Sequence, residues 1–272
     1  MTTHHPSTQL TVLSVDIDFF VLGRASDLSL TSGLDTRLSS DEYATASLEI
    51  AQSVFEQSCK LSTLTPVRGI SIRHHDAAFE VLRALAKKGS INFVHMDAHA
   101  DLGLGDLSHE YLLTDWIRDC TRAPTRGWRG LNLGSWLAFA AAAQLVSKIT
   151  FVPHEPLSSG DPSDIHPLYA HNPRPAAAQE LRFCPLTKTE LHEIHLRKAY
   201  AEMIQRANCT SIPFNITSRD CFNLLSPPNF VILCQSPNFT PVEADPIFTL
   251  ARSYITEDGL GLSLEEPLEV RS

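Results

Sequence analysis

One stretch constrains the fold more than any other: residues 92–102, Asn-Phe-Val-His-Met-Asp-Ala-His-Ala-Asp-Leu. Apolar residues lead into it, and Asp97, His99 and Asp101 then arrive at alternate positions. Side chains two apart in an extended strand share a face. The pattern therefore predicts a strand ending with two carboxylates and an imidazole on one side, and Ala98 and Ala100 on the other. Isolated charges at the end of a buried strand are costly. A divalent cation removes that cost, and carboxylate with imidazole suits harder first-row ions such as manganese better than thiolate-seeking ones. The competing use of these residues is a helix cap plus ordinary salt bridges. Three donors at period two behind Phe93 and Val94 favour the metal.

A second half-site follows the same logic. Residues 9–22 are β-branched and apolar, interrupted by Asp16 and Asp18, and predict a buried strand with both aspartates on one face. Two like charges that close repel unless a cation sits between them. A third contribution is the His74-His75 pair, beside Asp76, at the junction between a short strand over 67–73 and a helix reaching Lys88. One of the two histidines is within reach of a site at the strand ends. Asp16, Asp18, Asp97, His99, Asp101 and one of His74 or His75 make four carboxylates and two imidazoles. That is too much negative charge for one divalent ion, but it balances two that share a hydroxide, which is a nucleophile at neutral pH. Neither a Ser or Cys nucleophile elbow, nor a phosphate-cradling loop, nor a dinucleotide fingerprint is present in the sequence.

The rest of the chain alternates strands and helices, which predicts a mostly parallel sheet with helices on both faces and sites at the strand ends. A helix is expected over 41–60 with Ser40 or Asp41 as its cap, another within 131–149 capped by Gly134 or Ser135, one over 191–207 and one over about 243–255. Further strands are expected at 150–152, 211–217 and 229–235. His109, Asp115 and Trp116 fall in a helix or lid after a Gly-rich loop, and Trp116 and Trp128 are read as packing residues. Residues 153–187 hold seven prolines and read as an irregular loop insert, with His154 and Glu155 exposed in it. Residues 256–272 read as an acidic, mobile tail, and the whole of 1–272 as a single domain.

Composition narrows the function. With 43% hydrophobic and 19% charged residues the chain can bury a large core. The net charge of -9, without a basic block, argues against nucleic acid as partner. The six cysteines are scattered without a C-x-x-C pair, so neither a disulfide framework nor a thiolate zinc site is expected. The first residues lack a signal-peptide pattern and no apolar run reaches membrane-spanning length, so the expectation is a cytoplasmic protein without a membrane partner. The oligomeric state is not legible.

The motifs also carry a family resemblance. Val94-His-Met-Asp-Ala-His-Ala-Asp-Leu102 resembles the D-x-H-x-D signature of the arginase/ureohydrolase fold, shared more loosely with histone deacetylases. Ser14-Val-Asp-Ile-Asp-Phe-Phe20 resembles its D-x-D signature in the form seen in the UPF0489 family, which includes peptide arginases of ribosomal natural-product pathways. The turn at Asn132–Trp136 and Ser236-Pro-Asn-Phe-Thr-Pro241 are similar to that family too, so the likeness spans residues 12 to about 250. It implies a three-layer arginase/deacetylase-like α/β domain and two Mn2+ per chain. Asp16 and Asp97 would bridge the ions, with Asp101 and His75 on one ion and Asp18 and His99 on the other. His75 is favoured over His74 because the family's pattern is D-H-N. The implied reaction turns arginine residues of a precursor peptide into ornithine and urea. Asp101 would hand the proton to the departing amine, and Ser236, Asn238 and Thr240 would contact substrate. Glu243 and Asp245 are candidates for reading the guanidinium. In ureohydrolases D-x-D follows D-x-H-x-D; here it comes first, and Asp220 is the one later stand-in. A permuted strand order restores the geometry. Alternatives are a zinc deacylase on the same fold, a ureohydrolase of free arginine or agmatine type, and a binding protein with a degenerate metal site.

Overall fold

A computed structural model describes residues 9–23, 25, 36–103, 107–154, 165–169, 179–198 and 208–262. Strands β1 (Gln9–Asp16) and β5 (Ser90–Asp97) sort their apolar residues by alternation. Val12, Ile91 and Phe93 join one core cluster, and Leu13, Val15, Val94 and Met96 the other. Both faces of these strands are therefore covered, as a parallel sheet requires. With β4 (Val67–Ile72), β6 (Lys148–Pro153), β7 (Gln179–Phe183), β8 (Thr210–Ile216), β9 (Phe230–Cys234) and β10 (Ile255–Glu257), they form an eight-stranded sheet. Its order is β10-β4-β9-β1-β5-β6-β8-β7, parallel throughout except for the β7–β8 pair. Two short strands, β2 (Val21–Leu22) and β3 (Ala44–Thr45), make a separate antiparallel ribbon.

Helices fill the outer layers. α2 (Ala78–Ala86), α3 (Ser108–Thr114), α4 (Trp136–Ala142) and α5 (Lys188–Arg197) pack on the Val12 face. α1 (Leu48–Ser53) and α6 (Asp245–Arg252) pack on the Leu13 face. α4 is buried along its whole length, so it has no polar side. This is the expected α/β arrangement with a mostly parallel central sheet between two helical layers. Among the described residues no helix is long and apolar enough to cross a membrane.

Several local expectations are corrected. β1 stops at Asp16, and Ile17–Phe20 is a 3-10 turn, because the Asp16 carboxylate accepts the Asp18 N–H at 3.1 Å. β5 stops at Asp97 for the same reason: Asp97 Oδ1 accepts the His99 N–H at 2.7 Å. The helix expected from residue 41 begins at Leu48 with Ser47 as its cap, since Ala44–Thr45 is drawn into the ribbon with β2. The proline-rich insert is not irregular throughout. Gln179–Phe183 pairs with β8, and Cys184, just beyond it, is disulfide-bonded to Cys209, against the reading of the cysteines as unpaired. His154 is buried rather than exposed, whereas Glu155 lies outside the described residues. The tail contributes β10 on the sheet edge; residues 263–272 lie outside the described part, as does 199–207 of the helix expected over 191–207. α5 itself begins earlier, at a capping box of Thr187 and Glu190. Trp116 is buried as expected, whereas Trp128 is 48% exposed and is not a core residue.

Candidate metal centre

β1 and β5 are parallel neighbours, with Val15 opposite Met96, so Asp16 and Asp97 leave the sheet side by side at its C-terminal edge. Motif order along the chain is thereby immaterial: the early D-x-D lies next to the later D-x-H-x-D. Asp220, the alternative, is an exposed turn residue. His75 arrives from the turn after β4, two strands away. Its Nδ1 stands 2.9 Å from Asp97 Oδ2, 3.0 Å from Asp16 Oδ2 and 3.2 Å from Asp101 Oδ2. Its Nε2 meets Ser14 Oγ at 2.9 Å, which orients the ring. His75 is buried, and His74, which precedes the turn, belongs to none of the donor groups.

The second donor set adjoins the first. His99 Nδ1 lies 3.0 Å from Asp18 Oδ2 and 3.7 Å from Asp97 Oδ1. His99 Nε2 meets the Ala25 carbonyl at 3.0 Å, and Asp18 Oδ1 accepts the Ala98 N–H at 3.2 Å. Asp97 thus presents one oxygen to each set. Asp101 adopts a left-handed backbone (φ 53°), which turns its carboxyl back towards His75. The Trp136 indole N–H donates to Asp101 Oδ2 at 2.5 Å. All six expected ligands therefore converge. They do so by tight turns after each strand, rather than by alternation within extended strands.

The charges show what such a cluster needs. Burial, then the neighbouring charges of Asp16 and Asp97, push the Asp18 carboxyl well above the usual range. Burial and Asp97 push Asp101 up to about 7. Burial opposes ionisation of Asp97 too, but His95, His75 and His99 hold it below the usual carboxylate range. Burial opposes charge on His75, yet Cys234 and the carboxylates of Asp101, Asp16 and Asp97 raise it. Burial likewise opposes charge on His99, and Asp18 and Asp97 raise it. His75 Nδ1 and Asp97 Oδ2 are buried and make no well-formed hydrogen bond among the described residues, despite their short separations. That suits lone pairs aimed at a shared point, and the residues fit a cation.

The three expected substrate residues have different surroundings. Ser236 Oγ donates to Asp16 Oδ2 at 2.7 Å, so it supports a ligand. Thr240 is fully buried, donates to the Ser236 carbonyl at 2.9 Å and accepts from Arg37 Nη1 at 2.8 Å. Asn238 Oδ1 has no hydrogen-bond partner among the described residues. Next to it, Phe239 meets the His99 ring edge-on, with centroids 5.0 Å apart. Asp245 is already paired with the Arg37 guanidinium at 2.6 Å, and Glu243 is exposed. His154 is tied to the Phe19 carbonyl at 2.5 Å, so it braces the turn that carries Asp18. Sequence reasoning missed Ser14, His95, Trp136 and Cys234 at this site. A cavity of about 500 Å³, lined by Lys87, Lys88 and Gln144 among others, opens at the other end of β5 and is unrelated to these donors. Comparison with family models, curated proteins and solved structures finds no match to this chain.

Proposed function

We propose that this chain is a binuclear manganese hydrolase that converts arginine residues of a peptide, of the precursor type, to ornithine with release of urea. The observation that supports it most is the shared Asp97, whose Oδ2 faces His75 at 2.9 Å and whose Oδ1 faces His99 at 3.7 Å. Asp16, His75, Asp97 and Asp101 would hold one ion, and Asp18, His99 and the shared carboxylates the other. When bound, such a pair supplies compensating charge and an acidified water at neutral pH. In the reaction, water oxygen bonds to the guanidinium carbon and the bond from that carbon to the side-chain nitrogen breaks. The nitrogen leaves with a proton, giving urea and an ornithine residue. Asp101 is the residue placed to carry that proton: Trp136 fixes its Oδ2, and its turned-back backbone aims it at the donor cluster. Asn238, which precedes Phe239, holds a buried side-chain oxygen without a hydrogen-bond partner among the described residues, and this is the acceptor assigned to a guanidinium N–H once the loop admits substrate. Ser236 acts behind Asp16, and Thr240 braces the loop.

The donor geometry supports the metal pair, whereas arginine rests on the family resemblance. The test is to incubate the Mn2+-loaded protein with an arginine-containing peptide and measure urea, together with the mass loss for arginine to ornithine. Urea from neither peptide nor free arginine sinks the assignment. Elemental analysis separates it from a deacylase, since two manganese per chain are expected rather than one zinc.

A further inference from the structure

His95 lies two residues before Asp97 on the same face of β5 and is fully buried. Aromatic rings wall it in: Phe93, Phe151, Trp136 and His75, with centroids 5.9, 5.6, 5.6 and 5.2 Å away. Neither of its ring nitrogens makes a well-formed hydrogen bond among the described residues. A buried polar ring left that way is destabilising, and native interiors rarely tolerate it without a compensating role. Nε2 looks into the donor cluster, 3.5 Å from Asp97 Oδ2 and 3.7 Å from Asp101 Oδ2. Those separations exceed the range of a well-formed N–H···O bond. They do match two ligands of one ion. With bonds of about 2.1 Å, ligand atoms are about 3.0 Å apart at right angles and about 3.6 Å apart at 120°. The His75 separations fit the first spacing and the His95 separations the second.

We propose that His95 Nε2 is a direct ligand of the ion held by Asp16, His75, Asp97 and Asp101, an inference that rests on the metal-centre reading above. That ion then has two imidazoles and three carboxylates from the protein and little room for a further donor. The ion on the Asp18 and His99 side keeps open positions, and His99 is the one donor with appreciable exposure, at 18%. Substrate therefore engages that side, and the His75 side is the anchoring one.

A crystal structure of the wild-type protein with Mn2+, located by anomalous scattering, tests this directly. The expected Nε2–metal distance is within about 2.4 Å. An ion between His75 and the carboxylates with His95 Nε2 more than about 3 Å away overturns the proposal and leaves the metal centre standing. No ion at either position overturns both. In parallel, His95→Phe fills the aromatic pocket without a donor. Calorimetric titration with Mn2+ is expected to show one site weakened more than about 100-fold, beyond the 10–100-fold typical of an outer-sphere partner, and the other retained. Two sites of unchanged affinity overturn it.

Discussion

Asp97 is the residue on which both donor sets depend, because each of its oxygens faces a different imidazole. Asp97→Asn replaces one oxygen with a donor nitrogen that repels a cation. The expected outcome is loss of both bound ions by elemental analysis, with no detectable urea; retention of two ions would refute the bridging role. Trp136 acts one step further out, through its indole N–H on Asp101. Trp136→Phe keeps an aromatic ring against His75 and Phe93 but leaves a buried carboxylate oxygen without that donor. Activity should fall about 10–100-fold, the range for outer-sphere partners of metal sites, with manganese content kept. A variant as active as wild type would remove Trp136 from the proton-carrying arrangement.

At the level of elements, two strand ends do the positioning, and each is closed by its own aspartate folding back onto the N–H two residues on. Strand β4 brings in His75, and it can lie between β9 and β10 only because residue 69 is glycine. A Cβ there would come within 2.7 Å of the Val231 carbonyl and 2.9 Å of Ile255 Cγ2. Gly69→Ala is expected to destabilise by about 1–3 kcal/mol through overpacking, read as a shifted denaturation midpoint. An unshifted midpoint would mean that the sheet edge yields freely. Much of this architecture was legible beforehand. The β-branched runs located β1, β4, β5, β8 and β9; the spacing of acids and histidines singled out Asp16, Asp18, Asp97, His99, Asp101 and the His74-His75 pair, and the family resemblance favoured His75, the one that joins the cluster. The reason given for their convergence was nevertheless wrong, since an aspartate at a strand end uses its side chain to start a turn, and turn and alternation look alike over three residues. His95 was within reach of the same period-two reasoning carried one step back from Asp97, through Phe93 and Ile91. Ser14 and Cys234 were not, because their relevance depends on β9 and β1 pairing across more than two hundred residues. The Cys184–Cys209 bridge was hidden similarly, by a strand lying inside a proline-rich stretch.

For the whole molecule, the cluster couples cation binding to pH. Asp101 is pushed up to about 7, and His75, His99 and Asp18 are raised from their ordinary values, which favours protons that a cation must displace. Manganese affinity should therefore strengthen as pH rises. Calorimetry in buffers of differing ionisation enthalpy should show net proton release, and zero release would contradict the electrostatics described. A separate acid sensitivity comes from His166, stacked on His109 with centroids 4.1 Å apart and near His195. Burial, then those two imidazoles, lowers it to about 3. Below the ordinary value of about 6.5 the unfolded chain takes up a proton that the folded chain refuses, so stability declines with acidification, by about 2 kcal/mol at pH 5. In His166→Asn the slope of stability against pH between 6.5 and 5 should flatten; an unchanged slope would clear this residue. The placement of β1 has a temporal consequence. It is made before both of its sheet neighbours, which begin at Ser90 and Phe230. Until the ribosome has passed the latter, Asp16 and Asp18 have only half their setting, and a nascent chain has no finished place for a cation. On the proposed reading, loading with a cation is thus expected only after β1 has been enclosed by a strand made more than two hundred residues later.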